Sequence, residues 1–157
     1  RRMKIPVLVI AQVLGLGFLT RYSGTDAVLG LAFTHAGFLY PFFAAYLGWL
    51  GVFLTGSDTA SNALFGSLQR ITAQQLNLNP ILIVATNSTG GVMGKMIDAQ
   101  SIMVACAACY DCPRERSFAL GPIFRTVFFH SIAGAAVIGI IAMLQAYVFP
   151  QMIPLAP

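Results

Sequence analysis

This chain of 157 residues is too apolar for an ordinary soluble domain, since 57% of its residues are hydrophobic and only 9% are charged. Its net charge of +4 comes mostly from short basic clusters. No basic groove interleaved with aromatic residues accompanies them, which argues against a nucleic-acid partner. We therefore expect an all-α polytopic membrane protein whose surroundings are the lipid bilayer.

The first predicted element is a membrane span over residues 5–20, an apolar run that ends at Arg21. A helix needs about 20 mostly apolar residues to cross the hydrocarbon of a bilayer. The chain opens Arg-Arg-Met-Lys, without an initiator Met or a small-residue cleavage site. We therefore expect the numbering to start inside a longer protein, and this span is not expected to be a signal peptide.

The second predicted element is a helical hairpin over residues 41–78. Residues 41–55 are apolar and aromatic, but they would form only about 22 Å of helix, which is too short to span a bilayer. Polar residues at 56–62 then interrupt the run, and apolar residues at helical spacing resume as far as residue 78. This pattern predicts a re-entrant hairpin whose tip, residues 56–62, stops at membrane depth.

The third predicted element is a broken transmembrane helix over residues 80–110. The polar segment 86–91, and then Lys95 and Asp98, interrupt its apolar sequence. Backbone unwinds at membrane depth only where protein or a water-filled cavity surrounds it. Discontinuous helices of this kind form substrate and ion sites in secondary transporters, often in pairs related by an inverted repeat.

The last predicted element is a span over residues 122–149, with small residues at 134–136 and 139 for close helix contact. Arg114, Arg116 and Arg125 precede or begin it, and such clusters mark cytoplasmic ends of membrane spans. This orientation puts the N-terminus and Cys112 near the cytoplasmic face and Pro157 on the opposite side.

Two polar motifs resemble signatures of bacterial L-lactate permeases. They are GWLGVFLTGSDTASNALFGSLQ at residues 48–69, and GGVMGKMI at residues 90–97 followed by QSI at 100–102. The resemblance implies a proton symporter, not an enzyme, that imports L-lactate and related 2-hydroxy monocarboxylates such as glycolate without a cofactor. It also implies a multi-pass protein of the bacterial cytoplasmic (inner) membrane.

The same resemblance implies that residues 1–157 are the C-terminal transmembrane portion of such a permease. The wider group of ion transporters to which these permeases look related builds each inverted repeat around a hairpin and a broken helix. This chain would then hold the second inverted repeat's pair, and the N-terminal remainder of the permease would be its partner.

Neutral hydroxyl and amide groups at the two interruptions are the candidate donors for a small carboxylate substrate. Helix N-termini there would add backbone N–H groups and positive dipole ends. The alternative is that the hydroxyls only bond to helix carbonyls. With the motif residues around them, the candidate substrate-binding set is Ser57, Thr59, Ser61, Asn62, Asn87, Ser88, Thr89, Gly90, Gly91, Lys95, Gln100 and Ser101.

Asp58 is the candidate proton carrier, because it is the only charged residue between Asp26 and Arg70. A carboxylate inside a membrane is costly unless it is protonated or paired. The alternative is a permanent ion pair with Lys95 that holds the hairpin to the broken helix. Lys95 could instead bind the substrate carboxylate as a compact charge, or extend its amine toward the membrane surface.

Two other functions stay open at this point. Transport of another organic anion, such as gluconate or citrate, is one of them. The other is a membrane-embedded metal or redox protein that uses Cys106, Cys109 and Cys112, whose spacing resembles part of an iron–sulfur motif. The chain has no fourth cysteine, and the small residues around these three favour a packing role. We therefore predict no metal site.

Overall fold

A computed structural model of the protein describes residues 4–109 and 113–153, and all regular structure within these ranges is helical. Short 3₁₀ helices at Thr34–Leu39 and Pro150–Met152 accompany the longer helices. The all-α fold expected from the sequence is therefore confirmed. The α-helices of the described residues are α1 (Lys4–Tyr22), α2 (Thr25–Phe33), α3 (Tyr40–Thr55), α4 (Asp58–Gln75), α5 (Pro80–Lys95), α6 (Ala99–Cys109) and α7 (Pro113–Tyr147).

Two helical runs within the described residues are long and apolar enough to cross a membrane. They are Thr25–Thr55, with 31 residues, and Ala119–Tyr147, with 29 residues. Helices α5 and α6 meet at an angle of 41° and count as a third candidate span if the bent pair crosses as one unit. These lengths agree with the polytopic membrane protein that the composition predicted.

The hairpin differs from its prediction in the length of its first arm. Helix α3 continues backward through the 3₁₀ turn into α2, with a sharp kink at Gly37 (φ 49°, ψ −122°). The resulting run of 31 residues is long enough to span, so the argument for re-entry from a short arm does not hold. The re-entrant topology of residues 41–78 stays a prediction.

The turn of the hairpin is also tighter than the predicted tip at 56–62. Only Gly56 and Ser57 lie between α3 and α4, and the five residues that follow form the first turns of α4. Gly56 ends α3 with φ 69°, a left-handed conformation that glycine adopts without steric cost. The side chain of Ser57 then accepts a hydrogen bond from the Ala60 N–H and so caps α4.

The break in the third element lies further along the chain than the sequence indicated. Residues 86–91 are helical throughout, and α5 ends only at Lys95, before a turn at residues 96–98. Helix α5 remains continuous at its glycines because they let α3 and α5 approach closely. A Cβ at Gly48 would collide with the Asn87 backbone, and one at Gly90 would collide with the Ala45 carbonyl.

The last helix is longer than the predicted span 122–149. Helix α7 begins at Pro113 and runs through Pro122 to Tyr147. Its small residues pack as expected, since a Cβ at Gly134 would meet the Met93 sulfur and one at Gly139 would meet Phe42. The indole of Trp49 on α3 also donates a hydrogen bond to Ser131 of α7 at 2.7 Å. Helix α7 therefore packs directly against the α3–α5 pair.

Candidate functional site

A chain of side-chain amides crosses from α4 to α5 in the interior of the bundle. Asn62 Nδ2 donates to Asp58 Oδ2 at 3.0 Å, and Asn87 Nδ2 donates to Asn62 Oδ1 at 2.6 Å. Gln69 Nε2 continues the chain by donating to Asn87 Oδ1 at 2.8 Å. Asn87 and Gln69 are fully buried. We call Asp58, Asn62, Asn87 and Gln69 the amide network.

Two hydroxyl groups extend the amide network on either side. Asn62 Nδ2 also donates to Ser88 Oγ at 2.7 Å. Ser61 is fully buried, accepts a hydrogen bond from Asn87 Nδ2 at 3.4 Å, and donates to the Gly48 carbonyl on α3 at 3.4 Å. The network therefore joins α3, α4 and α5 through polar groups, of which Ser61, Gln69 and Asn87 are fully buried and the others partly buried.

Both ends of the amide network carry an unpartnered oxygen. Asp58 Oδ1 and Gln69 Oε1 are buried and accept no hydrogen bond from the described residues. Gly91 lies beside the first of them, since a Cβ there would be 2.6 Å from Asp58 Oδ1. A buried carboxylate oxygen without a hydrogen-bond donor is a costly arrangement in an apolar interior.

Helical spacing explains why these residues meet. Asn62 lies four positions after Asp58, and Gln69 lies seven positions after Asn62, so all three point to the same face of α4. Asp58 also stands in the first turn of α4, where a negative charge is favoured by the helix dipole. Gln69 was missed in the sequence analysis, although its spacing from the polar residues at the hairpin turn was the signal that could have found it.

A second polar cluster joins the hairpin turn to the break between α5 and α6. Lys95 Nζ donates to the Gly56 carbonyl at 2.5 Å and to Asp98 Oδ2 at 2.8 Å. Asp98 in turn caps α6, since its carboxylate accepts from the Gln100 N–H at 3.2 Å and the Ser101 N–H at 3.1 Å. The hairpin turn and the helix break are thus held together by one lysine.

The alternative of an ion pair between Asp58 and Lys95 is wrong in this structure. Lys95 pairs instead with Asp98, which lies three residues later in the sequence, where local geometry favours the contact. Asp58 has Asn62 as its hydrogen-bond donor and no cation within salt-bridge distance among the described residues. The two carboxylates therefore differ, because Asp98 is paired and Asp58 is not.

The remaining residues of the predicted site differ in the hydrogen bonds that they make. Ser101 belongs to the cluster at Asp98, to which its hydroxyl donates at 2.9 Å, whereas the exposed Gln100 contributes its backbone N–H alone. The hydroxyl of Thr89 donates to carbonyls of its own helix. This is the alternative to substrate binding that the sequence left open for such hydroxyls. Thr59 is exposed and makes no side-chain hydrogen bond with the described residues.

The alternative function as a metal or redox protein depends on three cysteines, and the structure describes two of them. Cys106 is buried and Cys109 is exposed on the same helix, while Cys112 lies outside the described residues. Within residues 4–109 and 113–153, no group of three or more His, Cys, Asp or Glu side chains is arranged to hold a metal ion.

Comparison with known proteins gives a consistent result. The family model described as L-lactate permease matches residues 1–149. The chain is 54% identical over 151 residues to the glycolate permease GlcA of Escherichia coli K12, which covers 96% of the chain. It is 47% identical over 154 residues to the L-lactate permease of the same strain, and 46% identical over 154 residues to that of Bacillus subtilis.

These relatives are much longer than the chain itself. The alignments cover 98% of the chain for both L-lactate permeases, but only 26% to 27% of the three relatives. The chain therefore spans about a quarter of the length of the curated relatives it matches. No solved structure gives a match of comparable significance.

Proposed function

The chain belongs to the L-lactate permease family, and from this premise we propose that it forms part of a symporter that couples L-lactate and related 2-hydroxy monocarboxylates, such as glycolate, to protons. Relatives that match nearly the whole chain bear the names L-lactate permease and glycolate permease, which supports this substrate class. The proposal places the chain in the bacterial cytoplasmic membrane, as one portion of a longer permease. In that permease the hairpin and the bent pair α5–α6 belong to the second of two inverted repeats.

The observation that carries the proposal is the state of Asp58. One of its oxygens is held by Asn62, and the other is buried without a donor among the described residues. The carboxylate therefore has a position for one proton and no permanent counter-charge, as a group that alternates between charged and neutral forms requires. Asp98, which Lys95 and the start of α6 stabilise as an anion, lacks this property.

Proton coupling also suits the charge of the substrate. A monocarboxylate that crosses with one proton moves no net charge through the membrane interior, where an isolated charge is costly. Neutral amides and hydroxyls, such as those of Asn62 and Ser88, are able to hold a carboxylate or a 2-hydroxyl through hydrogen bonds. The amide network therefore supports a substrate site next to the proton carrier.

The deciding experiment is uptake of labelled L-lactate into proteoliposomes that contain the full-length permease, under an imposed pH gradient. We expect lactate to accumulate above its external concentration when the interior is alkaline, and an uncoupler to abolish the accumulation. Liposomes without protein are the control. Equal uptake with and without the pH gradient would overturn proton coupling, and no uptake above the control would overturn lactate transport.

A second candidate substrate class is another organic anion, such as gluconate or citrate. Counterflow competition separates it from the first, since excess unlabelled anion displaces labelled lactate only if both share the site. We expect glycolate to compete and gluconate and citrate not to compete. If gluconate or citrate competes more strongly than glycolate, that anion becomes the proposed substrate.

A further inference from the structure

An open cleft runs between α1, α4 and α5 and contains two arginines. It has a volume of about 330 Å³, and Arg21 of α1 and Arg70 of α4 both line it. Its walls include the apolar side chains of Leu14, Phe18 and Val84. Asn62 of the amide network also lines the cleft, so the two guanidinium groups share one space with the edge of the candidate site.

The face of α4 explains why the cleft is open between Arg70 and Asn62. Gly66 lies four residues from each of them, so the three positions stack on one side of the helix. A Cβ added at Gly66 would meet no atom within 4 Å. The glycine therefore leaves a gap between an amide and a guanidinium, with room for a small molecule.

Arg70 also borders a second cavity that reaches the same polar groups. That cavity has a volume of about 580 Å³ and is lined by Asn62, Arg70 and Ser88, among others. Within the described part of the chain, no carboxylate lies within 4.0 Å of the guanidinium of Arg21 or Arg70. Both arginines are exposed. Two cations that share one cleft and have no counter-ion there attract an anion into it.

We propose that Arg70, with Arg21 in the same cleft, binds the carboxylate of the monocarboxylate substrate next to Asn62, on the side where the second cavity reaches Ser88. The inference rests on the proposed function and adds the residues that recognise the charge of the substrate. A guanidinium suits this task, because its planar N–H groups pair with both oxygens of one carboxylate. The apolar wall would contact the methyl group of lactate, and the amide and hydroxyl would lie at the end nearer the network.

The test uses a reporter cysteine at the floor of the cleft, in the full-length permease with its native cysteines replaced. Gly66→Cys is suited to this purpose because the space around Gly66 is open. The rate of its reaction with a small anionic thiol reagent is measured in proteoliposomes, with and without L-lactate. We expect lactate to slow the reaction several-fold in the Gly66→Cys protein.

Arg70→Gln is then added to the reporter protein, and Arg125→Gln serves as the matched control. Arg125 is an exposed arginine of α7 that does not line the cleft. We expect Arg70→Gln to weaken protection by lactate at least about tenfold and to slow the anionic reagent more than a neutral one. Arg70→Lys should keep part of the protection, and Arg125→Gln should keep all of it.

The outcomes separate this inference from the function on which it rests. Lactate uptake by the unmodified permease is measured in parallel, and its absence would overturn the proposed function itself. Uptake with unchanged lactate protection in Arg70→Gln would overturn the carboxylate site alone. Unequal loss of the anionic and neutral reactions shows that the charge of Arg70 acts within the cleft. Protection by lactate decides the carboxylate site even where transport by the variant is too weak to measure.

Discussion

Asn87 of α5 donates its side-chain amide to the carbonyl oxygen of Asn62 on α4 across 2.6 Å. This bond fixes which way the amide of Asn62 points, because its oxygen faces Asn87 and its nitrogen must therefore face Asp58. The orientation of one amide thus determines which group donates to Asp58 at the start of α4.

Asp58→Asn should abolish accumulation of lactate driven by a pH gradient, because the amide cannot take up and release the proton. Exchange of internal for external lactate should survive, since it needs no net proton movement. Both are measured in proteoliposomes with equal amounts of inserted protein. Accumulation by the Asp58→Asn variant would move the carrier role to Asp98 or to another part of the permease.

Asn62→Ala should impair both accumulation and exchange, because it removes a donor to Asp58 and to Ser88 at once. We expect the KM for lactate to rise about tenfold, the value of one well-formed hydrogen bond to a charged group. Thr126→Ala is the control, since Thr126 is exposed and bonds only to its own helix. Equal KM values for the two variants would remove Asn62 from the site.

The Ser57→Ala variant distinguishes the substrate-binding role that the sequence predicted from the helix-capping role that the structure shows. The sequence placed Ser57 among substrate donors, whereas its side chain caps α4 in the structure. Loss of a serine cap costs about 1 kcal/mol of stability. We therefore expect lower thermal stability in detergent with a KM close to that of the unmodified protein. A raised KM at unchanged stability would restore Ser57 to the substrate site.

Gly91→Ala should destabilise the protein and disturb Asp58 together. Its Cβ would lie 2.6 Å from Asp58 Oδ1 and 2.7 Å from the Val52 side chain. Overpacking of this kind costs about 1–3 kcal/mol, which thermal unfolding in detergent should reveal. Gly121→Ala is the matched control, because a Cβ there meets nothing within 4 Å. Equal melting temperatures for both variants would contradict the close packing around Asp58.

The predicted orientation is testable by labelling. A cysteine introduced beside Arg116 should react with an impermeant reagent only after the membrane is made permeable, because the basic cluster that includes Arg114 and Arg125 favours the cytoplasmic side. A cysteine near residue 153 should react from outside intact cells. Labelling at the Arg116 position from outside would reverse the topology.

The sequence predicted the polar residues of the site better than the backbone that carries them. The two motifs contain Asp58, Asn62, Asn87 and Ser88 or lie directly beside them, and the structure brings these four together. Residues 86–91 were expected to break the helix, because this polar segment interrupts an apolar sequence. In the structure Gly90 packs against the backbone of α3, so tertiary contact outweighs propensity there.

Other parts of the site depend on contacts that no local pattern contains. The contact of Lys95 with the Gly56 carbonyl, 39 residues earlier in the sequence, is set by where the hairpin turn lies relative to α6. Arg70 looked like the end of an uncharged stretch, and only the packing of α1 beside α4 shows that it shares a cleft with Arg21. Long-range helix packing supplied both facts.

The hydrogen bonds of Ser131 have a mechanical consequence. Its hydroxyl accepts from the Trp49 indole of α3 and donates to the Met93 carbonyl of α5, so one side chain of α7 engages two neighbours. Sliding of α7 by a single turn would leave both groups without partners in an apolar interior, which is costly. Helices α3, α5 and α7 should therefore move as one rigid body. Bending would then concentrate outside this body, at joints such as the kink at Gly37.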